Sequence, residues 1–322
     1  MLNPKPKIAP QPSPSTGRAP LQRIAKYLAF GGLTVGILFL LLILGAAWYG
    51  SGRVMYTSGT PHSIERSAAM MGLKFEDVTF TNERGLKLSG WFVPGNAAAR
   101  AAVVTVHGAG GDRTHFLPTV PMLHDAGYSV LLFDCSHAGQ SEGGARRITL
   151  GVDENRDVSA AVHYLKSERK FHRVGVLGCS QGGASVILAG ARDPAIDAVI
   201  AEASFLTPRE IISFSVHRVR PDLSAGFVRL MTDLTLFRMG AIGQPSPIDV
   251  VDRIAPRPLL LMQGSADQLV PVSDVAALYQ RAREPKQLWV GEGANHCGLI
   301  NQYPDRYRQE VVEFLKHNLP LQ

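Results

Sequence analysis

The sequence predicts an α/β fold, a mostly parallel sheet with helices on both faces, and three observations carry that expectation. From Phe75 onward, short apolar runs alternate with stretches of helical periodicity. Several runs, "AAVVTVH", "YSVLLFD" and "PLLLMQG" among them, are mostly apolar without a polar residue at every second position, as strands buried on both faces of a parallel sheet are. The loops that follow those runs hold the chain's reactive residue types, at the strand ends where open α/β sheets bind ligands.

The elements follow in order. "FEDVTFT" and "LKLSGWFV" are predicted to pair as antiparallel strands about the Asn82–Gly85 turn. "AAVVTVH" from Ala101 is a strand, Pro118 to Ala126 a helix, and "YSVLLFD" to Asp134 a strand. Val152 to Lys166 has helical apolar spacing, "RVGVLGC" and "AVIAEAS" are strands, and Ala184 to Ala189 between them is helical. "PLLLMQG" and "QLWVG" are the last two strands, and Asp305 to His317 is a closing amphipathic helix. Between Ser204 and Ile254 the alternation stops for longer than a plain connection needs, so this segment is expected to be a helical cap over the site.

Ahead of this domain lies a different composition. Residues 1–26 contain Pro4, Pro6, Pro10, Pro12, Pro14 and Pro20 and five basic residues with no acidic one, the pattern of an extended tail. From Tyr27 to Gly52 no residue is charged, and the run exceeds the roughly 20 apolar residues a helix needs to cross a bilayer. Trp48 and Tyr49 stand where an interfacial aromatic belt would be. Gly45-Ala46-Ala47 loosely resembles a signal-peptide cleavage site, but the run is longer than the roughly 7 to 15 residues of a signal-peptide core. The expected organisation is a tail over 1–26, a transmembrane helix over 27–50, a linker over 51–74 and a domain over 75–322 with its cap at about 204–254. Arg18, Arg23 and Lys26 precede the span, which predicts a cytoplasmic N-terminus and an extracytoplasmic C-terminal domain.

Charge excludes one class of partner. The chain has 33 basic and 27 acidic residues, and the excess lies in the tail, so the domain itself is nearly neutral and no nucleic-acid partner is expected. Cys135, Cys179 and Cys297 match no zinc spacing and cannot build a disulfide framework, so each is expected simply to pack.

The chemistry centres on "LGCSQGG", Leu177 to Gly183. Gly-x-Ser-x-Gly between a strand and a helix forms a turn so tight that the serine takes strained angles, and the residues two before and two after must lack a side chain. Gly178 and Gly182 meet that demand, which makes Ser180 the candidate nucleophile and leaves the amide of Gln181 free for an oxyanion. A serine needs a base, and the base an orienting acid. Of the downstream histidines, His217 lies in the cap and His317 ends the last helix, so His296, in the loop after "QLWVG", is the candidate base. Asp267, in the loop after "PLLLMQG", is the candidate acid, with Glu202 in reserve. The second oxyanion donor is expected to be the amide of Ala109 in "HGAGG", whose His107 reads as a structural hydrogen-bonding residue.

With "HGAGG", "FDCSHAGQSEG", "GCSQGG", "QGSADQLVP" and "GANHCG" in this order, the chain from about Phe75 to Leu319 resembles the α/β-hydrolase superfamily, with likeness to its serine esterases, monoglyceride lipases and serine-aminopeptidase-like members. The resemblance implies the α/β-hydrolase fold, with Ser180, Asp267 and His296 as triad and Ala109 and Gln181 as oxyanion hole. One motif departs from it. The family's Asp-x-Arg-Gly-x-Gly-x-Ser is here Asp134-Cys135-Ser136-His137-Ala138-Gly139-Gln140-Ser141, without the arginine and the first glycine, and His137 enters as a residue that either packs or lines the pocket.

The expected activity is therefore acyl-ester hydrolysis through an acyl-enzyme, with no cofactor or metal, by a carboxylesterase or lipase-like enzyme held at the membrane. Its substrate would be a small-molecule or lipid ester. The competing readings are a peptidase or amidase using the same triad, a thioesterase on lipidated proteins, and a hydrolase fold retained only for binding.

Overall fold

A computed structural model describes residues 18–56, 72–96, 99–144 and 147–322; the tail up to residue 17 and linker residues 57–71 lie outside the described residues. The chain divides into two compact units, the first ending at Ala47 and the second spanning Trp48–Gln322.

The first unit consists, as described, of the apolar helix α1, Arg18–Met55, which ends in the second unit. It starts earlier than Tyr27, with Pro20 in its first turn, where a proline costs no internal hydrogen bond. Gln22–Met55 has a mean hydropathy of 2.5 over its most apolar window, none of it buried, so length and composition suit a membrane span or a signal sequence.

The second unit is built on eight strands: β1 (Glu76–Thr81), β2 (Lys87–Val93), β3 (Ala101–Val106), β4 (Ser129–Phe133), β5 (Arg173–Cys179), β6 (Ala198–Glu202), β7 (Leu259–Gly264) and β8 (Lys286–Gly291). They lie in the order β1-β2-β4-β3-β5-β6-β7-β8. The β1–β2 and β2–β4 pairs are antiparallel and all others parallel. The expected α/β sheet is thus present, and its central strands β3 to β7 are buried along their whole length apart from Arg173 at the start of β5.

Helices cover both faces. These are α2 (Val120–Asp125), α3 (Glu154–Ser167), α4 (Gln181–Arg192), α5 (Pro208–Val219), α6 (Ala225–Met239), α7 (Pro247–Val250), α8 (Val272–Arg281), α9 (Leu299–Gln302) and α10 (Pro304–Asn318). One face of the core joins Val103, Leu132, Leu177 and Leu260 to Leu123 of α2 and Val311 and Leu315 of α10. Where a helix from Pro118 was expected, Arg113–Thr119 forms a 3₁₀ turn that contains Pro118 and passes into α2. The helix α8 lies outside the elements expected from sequence; it follows Pro271 and buries only Val275 and Leu278.

The segment between β6 and β7 holds α5, α6 and α7. Thr207 and Ser224 cap α5 and α6 through their hydroxyls, and Gly240 ends α6 at φ 72°. The two longer helices are joined by Arg209 Nη1 to Asp233 Oδ1 at 2.6 Å and by the Ser213 and Thr232 hydroxyls at 3.1 Å. Arg218 donates from Nη1 to the carbonyl of Gln268 at 3.2 Å, so α5 touches the loop after β7. The end of α1 also meets this segment within the second unit: Arg238 of α6 lies 4.2 Å over the Trp48 ring and donates to the Trp48 carbonyl at 2.7 Å.

Candidate active site

Four loops converge at the C-terminal ends of the parallel strands. The sharpest is the turn from β5 into α4, where Ser180 has φ 58° and ψ −121°, a conformation L-residues avoid. Its amide donates to the Glu202 carbonyl at 2.9 Å. A Cβ at Gly182 would collide with the carbonyl of Val106, and one at Gly178 with the carbonyl of Gly182. Both glycines are thus required by close backbone approach. Ser180 caps α4 without using its hydroxyl. Gln181 opens the helix, so its amide belongs to the N–H groups an α-helix leaves without an internal partner.

The loop after β3 packs on this turn, for a Cβ at Gly108 would lie 3.4 Å from Ser180 Cβ. Ala109 follows Gly108 and is exposed. His107 is held at both nitrogens, with Nδ1 paired to the Gly108 carbonyl at 2.9 Å and Nε2 accepting from the Cys135 amide at 3.1 Å. That requires the neutral tautomer protonated on Nδ1 and leaves the ring nothing to offer a substrate.

The loop after β7 supplies Asp267, whose side chain is fully buried. Oδ1 accepts from the amides of Leu269 at 2.8 Å and Val270 at 2.9 Å, and Oδ2 from Gln263 Nε2 at 3.1 Å and from His296 Nδ1 at 2.7 Å. Burial pushes the carboxyl pKa up, but the hydrogen bonds from His296, Val270 and Leu269 outweigh it and hold the group below the ordinary carboxylate range. His296 therefore faces a carboxylate at neutral pH, with its side chain a quarter exposed. Among the described residues its Nε2 has no hydrogen-bond partner.

The sequence-predicted acid and base are thus in direct contact, and the serine and the two amide-bearing residues stand on neighbouring strand ends. Glu202 is not bonded to His296. It ends β6 buried, accepts from the Leu299 amide at 3.3 Å, and is pushed up to about 7 by burial.

Two features depart from expectation. Cys179 and Cys297 do not merely pack; they form a disulfide with Cα atoms 6.1 Å apart. The signal was their placement, one directly before Ser180 and the other directly after His296, but 118 residues separate them and only the folded sheet brings them together. Cys135 is free and buried, as expected. His115 belongs to none of the motifs above. It lies at the surface in the 3₁₀ turn, and its ring nitrogen is within 4.8 Å of both sulfur atoms.

The altered motif after β4 also finds an explanation. Asp134 takes the backbone amide and Nη2 of Arg113, each at 2.7 Å, and the Gln140 amide at 2.8 Å. Arg113, from the 3₁₀ turn after β3, thus brings a guanidinium to the acid of a motif that has no arginine of its own. His137, at φ 69°, packs beside Gly143 and 3.9 Å from Asp153 Oδ2.

Comparison with known proteins agrees with this architecture. Residues 97–238 match the family described as Serine aminopeptidase, S33. The chain is 30% identical over 226 residues to the uncharacterized protein Rv2307c of Mycobacterium tuberculosis, covering 68% of this chain and 72% of that one. It is 28% identical over 247 residues to the uncharacterized protein YfhR of Escherichia coli, covering 74% and 80%. The solved structure of the Pyrococcus furiosus esterase Pf2001 superposes with a TM-score of 0.66 at 25% identity, over 82% of this chain and 97% of that one. With an eight-stranded, mostly parallel sheet and these relatives, the chain belongs to the α/β-hydrolase superfamily.

Proposed function

We propose that the protein is a serine hydrolase that cleaves acyl esters, with Ser180 as nucleophile, His296 as general base, Asp267 as orienting acid and the amides of Ala109 and Gln181 as oxyanion donors. The observation that carries this reading is the 2.7 Å contact from His296 Nδ1 to buried Asp267, which leaves Nε2 unbonded in a loop tied to the serine turn. His296 Nε2 takes the Ser180 proton as Oγ attacks the ester carbonyl, and gives it to the departing alcohol. Water, deprotonated by the same nitrogen, then releases the acid and restores the serine. Donors already aimed at the oxyanion need no reorganisation as charge develops.

The likeness to an esterase favours esters over amides. The family's aminopeptidase description offers the second reading, in which acidic cap residues would bind a free amine. Those residues are already engaged: Asp233 pairs with Arg209, Asp222 with Arg220, and Glu210 bonds to Thr207. A neutral acyl ester, small or lipid-like, suits the cap better.

The reading places α1 as an uncleaved anchor with the catalytic unit outside the cytoplasm. The basic residues before the span support that orientation, and so does the disulfide, since such bonds persist in oxidising compartments. Protease added to spheroplasts is then expected to digest the catalytic unit, and full protection would reverse the orientation. The decisive experiment is fluorophosphonate labelling of the detergent-solubilised chain beside Ser180→Ala. Labelling lost in the variant is the expected result; equal labelling would assign the reactive group elsewhere. Turnover of p-nitrophenyl esters of increasing chain length then separates a small-ester from a lipid-ester hydrolase.

A further inference from the structure

The sheet order poses a problem for the proposed site. β5, which carries Ser180, and β8, which leads to His296, are separated by β6 and β7. At about 4.8 Å per strand the two ends stand roughly 14 Å apart. The loop after β8 must therefore fold back across two strand ends to bring an imidazole to the serine. On its first side the loop is held by Ala266 donating to the Ala294 carbonyl at 3.0 Å and by the contact of His296 with Asp267. On its far side Leu299 packs into the core, and the hydrogen bond nearest His296 to another element, among the described residues, is the long 3.3 Å bond from the Leu299 amide to Glu202. Cys297, at φ 50°, joins that far side to the last residue of β5.

We infer that the Cys179–Cys297 disulfide is a positioning device for His296, and that turnover depends on its being oxidised. This rests on the proposed serine-hydrolase reading. The bond fixes the residue after the base to the residue before the nucleophile, so it sets the separation of the two groups more directly than any other tie among the described residues. Cys179 is buried, but Cys297 is partly exposed, which gives a small dithiol a sulfur to attack. One thiolate of the dithiol displaces a protein sulfur to give a mixed disulfide. Its second thiol closes the cyclic disulfide of the reductant, and the two electrons and two protons it surrenders leave Cys179 and Cys297 as thiols. A small-molecule disulfide reverses the exchange.

The test uses the full chain in detergent. Thiol titration of denatured protein is expected to find one thiol before reduction, Cys135, and three after, since the chain has three cysteines. Three thiols in the unreduced protein would overturn the inference. Reduction is expected to lower kcat for a p-nitrophenyl ester about 10- to 100-fold, the scale of an ångström-sized misplacement, with KM changed less than about threefold. The fluorophosphonate labelling rate should fall in parallel, and reoxidation should restore both.

A variant with Cys179→Ala and Cys297→Ala should match the reduced wild type and ignore the dithiol. If it does not fold, the reduced wild type, shown folded by circular dichroism, answers the same question. Reduced, folded protein with unchanged kcat overturns the positioning role while leaving the hydrolase reading intact. Oxidised protein that takes up no probe at all removes the hydrolase reading and this inference with it.

Discussion

Two clusters at the strand ends contain the same three residue types, and they differ in what their hydrogen bonds leave over. At the ends of β3 and β4, Ser141 donates from Oγ to the Asp134 carbonyl at 2.6 Å and accepts from the Ser89 amide at 2.8 Å. Asp134 accepts three bonds from Arg113 and Gln140, and His107 is occupied at both nitrogens. At the ends of β5, β7 and β8, the Ser180 hydroxyl does not cap its helix, and His296 bonds only through Nδ1. A buried polar cluster with every partner supplied rigidifies the fold. A cluster that leaves a ring nitrogen and a hydroxyl without hydrogen-bond partners among the described residues has something to offer a third molecule. Residue type does not separate the two; valence does.

The comparison breaks most sharply at the serines. Ser180→Ala is expected to cut ester turnover by about 10⁶-fold, as removal of a triad nucleophile does. Ser141→Ala should leave turnover within about tenfold and show its effect in the unfolding midpoint instead. Comparable losses of kcat in the two variants would erase the distinction. Asp267→Asn comes next. The amide cannot hold Nδ1 of His296 protonated as a carboxylate does, so the imidazole takes the wrong tautomer and kcat falls about 10⁴-fold at neutral pH. Steady-state kinetics on the p-nitrophenyl ester used for Ser180→Ala checks the ratio.

The first cluster answers to stability. Arg113 is 2% exposed, pairs with Asp134 at 2.7 Å and stacks on Trp91 at 5.0 Å. Arg113→Leu leaves a buried carboxylate without its cation, a change expected to cost about 3 to 5 kcal/mol in denaturant unfolding. If the variant unfolds at the wild-type midpoint, the Asp134 cluster does not hold the fold together.

Much of this was legible in the chain because glycine and periodicity are local signals. Gly178 and Gly182 announced the serine turn from sequence alone, and the apolar runs marked the buried strands to within a residue or two. The contact between Asp267 and His296 was reachable because each follows its own strand, so knowing that strand ends cluster was enough. Three things were not legible. The disulfide depends on a loop crossing two strand ends. The guanidinium on Asp134 comes from Arg113, an earlier loop, and not from its own motif. Amphipathic α8 buries only Val275 and Leu278, too few positions for its helical period to stand out. In each case the determining partner is distant in sequence or the local pattern is short.

Glu202 sharpens the comparison by a smaller amount, since it ends β6, between the β5 and β7 of the second cluster. It is buried at the end of β6 near His296 and carries a carboxyl that burial pushes from 4.5 up to about 7, partly countered by the Leu299 amide and by His296. Between those two values the native protein retains a proton that the unfolded chain has released. Stability attributable to Glu202 is therefore full below about pH 4.5 and falls as pH rises toward 7, by about 3 kcal/mol in all. Glu202→Gln removes the titration, so its unfolding free energy should lose most of that decline when measured in detergent from pH 5 to 8. Asp157, pushed up to about 6 mainly by burial, has the same sign and leaves a residual slope in the variant. Turnover of Glu202→Gln should stay within about tenfold of wild type. A loss on the scale expected for Asp267→Asn would instead make Glu202 the acid that orients the base, and the comparison would have to be redrawn around β6.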